Sequence, residues 1–98
     1  MLNIVNFYKS FDRYSCFTNE VIFEENKDCI KYNQYKAFRD KDGIYGFVSW
    51  TFLNQDNLNY FLKTGIVKEY NSGNIFIHLD FLAKKNVKEI YKWSLKNI

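Results

Sequence analysis

The sequence predicts an α+β domain in which helices cover a mainly antiparallel sheet. Three observations support this: a strand–turn–strand pattern around Asp42-Gly43, an apolar run from Ile75 to Ala83, and helical spacing of apolar residues elsewhere. With 98 residues, 47% of them hydrophobic, the chain can bury one core but is too short for two domains. We therefore predict that residues 1–98 form a single small domain.

The start of the chain has the apolar spacing of a helix. The predicted stripe consists of Leu2, Ile4, Val5, Tyr8 and Phe11. Asn3, Asn6 and Lys9 interrupt the apolar pattern, so the segment does not resemble a secretion signal. No stretch approaches the roughly 20 apolar residues that cross a bilayer. We expect a cytoplasmic protein without a membrane span.

Residues 17–35 are compatible with two structures. Thr18 or Asn19 can cap a helix that continues to Lys31. The apolar runs at 21–23 and 29–32, on either side of a polar turn, fit a hairpin equally well. Periodicity does not decide between them.

The next segment, residues 35–51, predicts an antiparallel hairpin. Two strand-like runs flank Asp40–Gly43, and the Asp-Gly dipeptide is a strong turn signal. A third strand is predicted at Ile75–Ala83.

Two more helices are predicted, and an asparagine precedes each of them. Asn54 caps the first, which ends at Gly65, and Asn86 caps the second. The apolar face of the first is formed by Leu58, Phe61 and Leu62, and that of the second by Val87, Ile90, Tyr91 and Leu95.

The third strand contains a carboxylate and the only histidine of the chain. Burying a charge in an apolar strand costs free energy unless a partner or a function compensates. Because side chains alternate along a strand, His78 and Asp80 are predicted to point to the same face. They form the first candidate site.

Charge and cysteine content limit the function classes. The formal net charge is +3, and lysines gather near the C-terminus at Lys84, Lys85, Lys88, Lys92 and Lys96. They indicate a solvated helix face or a surface for an acidic protein partner; nucleic acid is disfavoured because no aromatic or glycine-rich binding signature accompanies them. Cys16 and Cys29 with one histidine provide neither a disulfide framework nor a zinc site, so we expect no metal and no bound cofactor.

A series of short motifs gives the chain a family resemblance. The motifs are Asn33-Gln-Tyr, Arg39-Asp, Ser49-Trp50, Asn71-Ser-Gly73 and Asp80-Phe-Leu-Ala83, followed by a helix ending in Ile90-Tyr-Lys-Trp. In this order, over residues 33–98, they resemble the RTX toxin-activating lysine acyltransferases of the haemolysin-activating type. The resemblance implies a fold similar to the GNAT acetyltransferases. It also implies transfer of an acyl group from acyl carrier protein, as co-substrate, to a lysine ε-amine.

The resemblance assigns a catalytic role to an aspartate of this chain but to no histidine. Asp80 lies at the position of the family's catalytic aspartate, but the family's N-terminal histidine is missing, because the alignment places Tyr14 or Ser15 there. The family also continues beyond the final helix with which this chain ends. Either His78 has replaced the missing base and Asp80 orients its ring, or the two only make hydrogen bonds within the sheet.

The same resemblance suggests further candidates. Ser49 and Trp50 would bind the substrate or the acyl chain, and Ser72 and Gly73 would supply a backbone amide; a core tryptophan and ordinary turns are the simpler interpretations. Glu24 and Glu25 are interpreted as solvated acids. The carrier protein would contact Lys84, Lys85, Lys88 and Lys92.

A different class of function fits the missing histidine and the short chain. The alternative is a catalytically inactive acyltransferase-like binding protein or inhibitor, such as a phage counter-defence protein. A homodimer is a further expectation, because a short sheet leaves an edge that a second copy can cover.

Overall fold

A computed structural model describes residues 2–98, and side chains from Asn3 onwards, as a three-stranded antiparallel sheet packed against helices. Along the chain the elements are α1 (Leu2–Lys9), a 3₁₀ turn (Asp12–Tyr14), α2 (Asn19–Lys31), β1 (Tyr35–Asp40), β2 (Gly43–Leu53), α3 (Gln55–Thr64), β3 (Ile75–Ala83) and α4 (Val87–Asn97). The strand order is β1-β2-β3. The α+β class and its antiparallel sheet are confirmed. Met1 and the Leu2 side chain, part of the predicted first helix, lie outside the described residues.

Residues 17–35, for which the sequence allows a helix or a hairpin, contain helix α2. The Thr18 Oγ1 accepts a hydrogen bond from the Val21 amide at 3.2 Å, which caps the start of α2. Ile22, Asn26 and Cys29 are buried at i, i+4 and i+7, so one helical face meets the core. The hairpin alternative for this segment is wrong.

The predicted hairpin and its turn are confirmed. β1 and β2 pair antiparallel from Tyr35–Ser49 to Asp40–Gly43. The Asp40 Oδ1 accepts from the Asp42 amide at 2.9 Å, and Gly43 adopts a φ of 112°, which favours glycine.

The caps of α3 are also confirmed. The Asn54 Oδ1 accepts from the Asn57 amide at 2.8 Å, and Gly65 ends the helix with a φ of 74°. The predicted apolar face is only partly correct, because Leu62 is exposed whereas Leu58 and Phe61 are half-buried.

Helix α4 buries a different face from the predicted one. Asn86 occupies the N-cap position, but its φ is 58° and its side chain makes no capping hydrogen bond. Ile90 and Ser94 are buried, whereas the other predicted core residues are exposed, namely Val87, Tyr91 and Leu95. The reason is a close approach between α4 and β2: a Cβ on Gly46 would meet the Cδ1 of Ile90. Ile90 therefore faces the sheet, and this fixes the rotation of α4.

The two faces of the sheet have separate cores. Alternation along β2 directs Phe47 to the side of α1 and α2, which we call the α1/α2 face. Val48 and Trp50 point the other way, to the α4 face, where they pack with Ile90. Among residues 2–98, no helix has the length and apolarity needed to cross a membrane.

Candidate functional site

An irregularity in β3 separates the two residues of the first candidate site. Ser49 of β2 is paired with Asp80, and the next β2 residue, Trp50, is paired with His78. Leu79 is therefore an extra residue, as in a β-bulge. Because Ser49 and Trp50 point to opposite faces, so do their partners Asp80 and His78. The predicted shared face is wrong, and a His78–Asp80 dyad is excluded.

Asp80 points to the α1/α2 face, where tyrosines hold its carboxylate. The Tyr8 hydroxyl donates to Asp80 Oδ2 at 2.6 Å, and the Tyr14 hydroxyl contacts Oδ1 at 3.5 Å. Tyr8 is also 3.1 Å from the Asn26 Oδ1, but a hydroxyl has one proton, and the shorter contact identifies Asp80 as its main acceptor. Asp80 therefore has one firmly bonded oxygen and one that is nearly free.

The electrostatics of the two tyrosines follow from this contact. Burial, and then the negative charge of Asp80, raise the pKa of Tyr8 well above its ordinary value. The same two causes raise the pKa of Tyr14. Tyr14 stands at one of the two positions where the resemblance places the missing histidine; the other, Ser15, is exposed. A tyrosine with a raised pKa stays protonated at neutral pH, so Tyr14 is a hydrogen-bond donor there and not a base.

An open cleft of about 530 Å³ lies over Asp80. Ser49 and the half-buried Asp80 lie at its floor, and the exposed Arg13, Glu24 and Glu25 lie at its opening. The remaining lining residues are Tyr14, Phe17, Phe61, Gly65, Ile66, Val67, Tyr70 and Leu79. The cleft therefore combines apolar and aromatic side chains with three carboxylates and one guanidinium group.

Ser49 is the most unusual residue of the cleft. It is only 1% exposed, and its Oγ has no hydrogen-bond partner among residues 2–98. The buried Cys29 thiol lies nearby but donates to the Trp50 carbonyl at 3.8 Å. Burial raises the pKa of Cys29 to about 11, and the adjacent Ser49 hydroxyl opposes this only in part. The thiol is thus a protonated core group, and the Ser49 Oγ lies near it and near Asp80 without a partner in hydrogen-bond geometry among residues 2–98.

His78 belongs to the α4 face. Its Nε2 is 3.3 Å from the Ser94 Oγ, and its ring lies edge-on to Phe76 and Phe81. Burial lowers the pKa of His78 below its ordinary value near 6.5. The histidine is thus a neutral packing residue at pH 7 and does not touch the cleft.

The other site residues named from the sequence lie outside the cleft. Trp50 packs on Trp93 of α4, with ring centroids 6.0 Å apart, so it is on the face opposite to Asp80. The Ser72 Oγ accepts from the Asn54 amide at 3.1 Å, and Gly73 lies against the Asn54 backbone. Ser72 and Gly73 thus support the start of α3.

The C-terminal lysines do not form one surface. Lys84 lies over the Phe11 ring with its Nζ 5.3 Å from the centroid, and Lys85 forms an ion pair with Asp40. Lys88 and Lys92 border a separate groove beside Phe81, on the α4 face. The lysines predicted to bind the carrier protein therefore lie in separate places. Lys88 and Lys92 are on the α4 face, opposite to the Asp80 cleft.

Sequence reasoning missed Tyr8, Glu24 and Glu25 as parts of the site. Tyr8 was assigned to the core stripe, and its contact with Asp80 spans 72 positions of the sequence, so local patterns contain no sign of it. Glu24 and Glu25 look like ordinary solvated acids until α2 is placed beside the cleft.

Comparison of the chain with protein-family models, with curated proteins and with solved structures gave no match. The description of the site therefore depends on its geometry. Within residues 2–98, no group of three or more His, Cys, Asp or Glu side chains is arranged to hold a metal ion.

Proposed function

We propose that the cleft over Asp80 receives a lysine side chain of another protein. In this proposal the protein is a small GNAT-like relative of the toxin-activating lysine acyltransferases and transfers an acyl group from acyl carrier protein to that lysine. The observation that carries the proposal is the position of the Asp80 carboxylate, at the floor of an open cleft whose lining includes apolar and aromatic side chains. A long side chain with a cationic end fits such a site.

The charges of the cleft favour an ammonium group. Of the three carboxylates in the lining, Glu24 is paired with Lys27 at 3.1 Å, and Asp80 and Glu25 still outnumber the one basic residue of the lining, Arg13. The half-buried Asp80 carboxylate attracts a cation more strongly than a carboxylate in water does, whereas the exposed Glu25 adds less. The apolar walls, including Phe61 and Leu79, provide contacts for the methylene groups of the lysine.

The hydrogen bonds of Asp80 leave room for this ligand. Tyr8 occupies Oδ2 at 2.6 Å, whereas within residues 2–98 Oδ1 has only the long contact of 3.5 Å to Tyr14. A contact of that length is weak, so an entering ammonium can replace it. Tyr8 would hold the carboxylate in place while Oδ1 accepts from the lysine.

The transfer step makes two demands on the cleft. The lysine ammonium must lose a proton before its nitrogen attacks the acyl carbonyl, and Asp80 Oδ1 is the acceptor within reach. As the C–N bond forms, the carbonyl oxygen becomes an oxyanion, for which the unpaired Ser49 hydroxyl is a donor. The bond to the carrier then breaks, and the proton held by Asp80 passes to the leaving group. The nitrogen, which still has one proton more than an amide, releases that proton to solvent.

Mass spectrometry of a transfer reaction tests the proposal. Acyl carrier protein loaded with an acyl chain is incubated with the protein and a panel of lysine-containing peptides. We expect a mass increase of one acyl group that is lost in Asp80→Asn and kept in His78→Gln, a matched control on the opposite face. An absent mass shift, or one that persists in Asp80→Asn, contradicts acyl transfer at Asp80.

A second candidate is a binding protein or inhibitor that uses the same cleft without catalysis. The separation of His78 from Asp80 favours it, since Asp80 has no histidine partner and Tyr14 has a raised pKa. Titration of the same peptides, followed by amide chemical shifts, separates the two candidates. Binding that depends on Asp80 without acylation indicates a binding protein, and no binding of any lysine peptide contradicts both.

A further inference from the structure

Helix α4 has a second apolar stripe that no part of the described residues 2–98 covers. Val87, Tyr91 and Leu95 are 53%, 52% and 67% exposed. Their spacing of i, i+4 and i+8 places them in one line along the helix. Single exposed apolar residues are common on protein surfaces, but an aligned series beside a groove marks an interaction surface.

The stripe borders a concave surface. Val87 and Tyr91 of α4 and Phe81 of β3 line an apolar groove of about 430 Å³. The His78 ring packs edge-on against Phe81, with ring centroids 5.6 Å apart. His78 also packs edge-on against Phe76, with ring centroids 4.8 Å apart. The groove is thus already formed between a helix and the outer strand of the sheet.

The border of the groove is basic. Lys88 and Lys92 line it, and neither has an ion-pair partner within residues 2–98. Lys85, by contrast, is already paired with Asp40. The only acidic residue of α4 is Glu89, which is not part of the groove lining. The groove therefore presents an apolar floor beside two uncompensated positive charges.

We propose that this groove docks an amphipathic helix of another protein, with an apolar ridge flanked by carboxylates. Apolar side chains at i and i+4 of such a helix would enter between Phe81 and Tyr91, and its acids would meet Lys88 and Lys92. Charge complementarity decides between this occupant and a second copy. A second copy seated on the same groove would bring lysines against lysines, because the groove lining contains no carboxylate.

The shape of the surface disfavours a membrane as the occupant. A helix that binds a lipid surface exposes its apolar residues on an outward-facing side. Here Val87 and Tyr91, although half exposed, border an open groove together with Phe81 of β3, so the apolar surface is shared between a helix and a strand and is not one outward helix face. The groove and the Asp80 cleft are on opposite faces of the sheet, so docking is independent of the proposed acyl transfer.

Two synthetic helical peptides test the docking proposal. Both carry the same leucine ridge at i, i+4 and i+8; one has glutamates flanking the ridge and the other has lysines. Binding to the full chain is followed by amide chemical shifts. We expect the glutamate peptide to bind, with shifts centred on Phe81, Val87 and Tyr91, and to bind more weakly as salt rises.

A charge exchange provides the decisive comparison. In Lys88→Glu/Lys92→Glu, we expect at least tenfold weaker binding of the glutamate peptide and a new preference for the lysine peptide. The control Lys31→Glu/Lys63→Glu changes the net charge equally, at exposed positions of α2 and α3, and should keep the original preference.

Several outcomes would overturn the proposal. Equal affinity for the two peptides, or shifts away from the groove, would show that no acidic helix is selected. Self-association that Tyr91→Ser abolishes would assign the groove to a second copy. Binding to anionic phosphatidylserine vesicles, without binding to either peptide, would assign it to a membrane.

Discussion

His78 and Asp80 lie two positions apart in β3, yet they point to opposite faces of the sheet. Leu79 is the extra residue of a bulge, so Ser49 pairs with Asp80 while the adjacent Trp50 pairs with His78. Asp80 consequently joins Tyr8 on the α1/α2 face, and His78 joins Ser94 on the α4 face. The two polar groups of this apolar strand thus have separate partners, and substitutions at them should have separate consequences.

The hydrogen bond from Tyr8 to Asp80 should contribute measurably to stability. Tyr8→Phe removes the donor at 2.6 Å and leaves the carboxylate with only the long contact to Tyr14. Hydrogen bonds to charged groups contribute about 1.5–3 kcal/mol, so we expect a loss of that order in the free energy of unfolding. Urea unfolding at pH 7 measures it. Tyr60→Phe is the control, since Tyr60 is exposed; equal stabilities of the two variants would contradict the assignment.

The lowered pKa of His78 predicts a stability loss in mild acid. In the unfolded chain the imidazole takes up a proton as the pH falls through about 6.5. Burial lowers the pKa of His78, so the folded protein takes up this proton at a lower pH. The unfolded state therefore binds more protons below pH 6.5, and the free energy of unfolding falls. Above that pH both states are neutral, and the full stability is present.

Comparison with His78→Gln isolates this effect from the titration of carboxylates. We expect the wild-type chain to lose more stability than the variant between pH 7.5 and pH 5.0, as measured by urea unfolding at each pH. Parallel pH profiles for the two proteins would show that His78 is not responsible.

The structural role of Gly73 can be tested separately from catalysis. A Cβ at this position would lie 2.5 Å from the nitrogen and 2.6 Å from the Cα of Asn54. Because backbone atoms cannot move aside, we expect Gly73→Ala to reduce the free energy of unfolding by roughly 1–3 kcal/mol. Gly46→Ala is the comparison, since its Cβ meets the flexible end of Ile90, and it should cost less. The reverse order would contradict this account of Gly73.

Features set by neighbouring residues were predictable from the sequence. The caps Asn54 and Gly65 and the limits of β3 depend on local hydrogen bonds and turn geometry, and the structure has them as predicted. The rotation of α4 was not predictable, because its sequence contains two stripes. Packing of Ile90 against Gly46 and against Val48 and Trp50 selects the stripe that is buried.

In the candidate site, too, some features were predictable from the sequence and others were not. Asp80 and Ser49 were both named from the sequence, and pairing between β2 and β3 brings them together. The bulge at Leu79 was not foreseen, because the residue pattern of β3 continues through it without interruption. Tyr8 was not foreseen as a partner of Asp80, because only the packing of α1 on the sheet brings the two together.

The unpaired hydroxyl of Ser49 predicts opposite effects on stability and on ligand binding. A buried hydroxyl without a partner has lost its hydrogen bonds to water and gained none, which costs about 1 kcal/mol or more. Ser49→Ala should therefore leave the free energy of unfolding unchanged or raise it. If the hydroxyl serves a ligand in the cleft, the same variant should weaken lysine binding or slow acyl transfer.

A second buried serine provides the matched control. The Ser94 Oγ donates to the Ile90 carbonyl at 3.3 Å and is also 3.3 Å from His78, so Ser94→Ala should lower the free energy of unfolding by about 1 kcal/mol. Because Ser94 lies on the α4 face, this variant should leave lysine binding at the cleft unchanged. Urea unfolding and peptide titration of both variants check the two expectations together. Equal destabilisation by the two substitutions would mean that Ser49 already has a partner and is not reserved for a ligand.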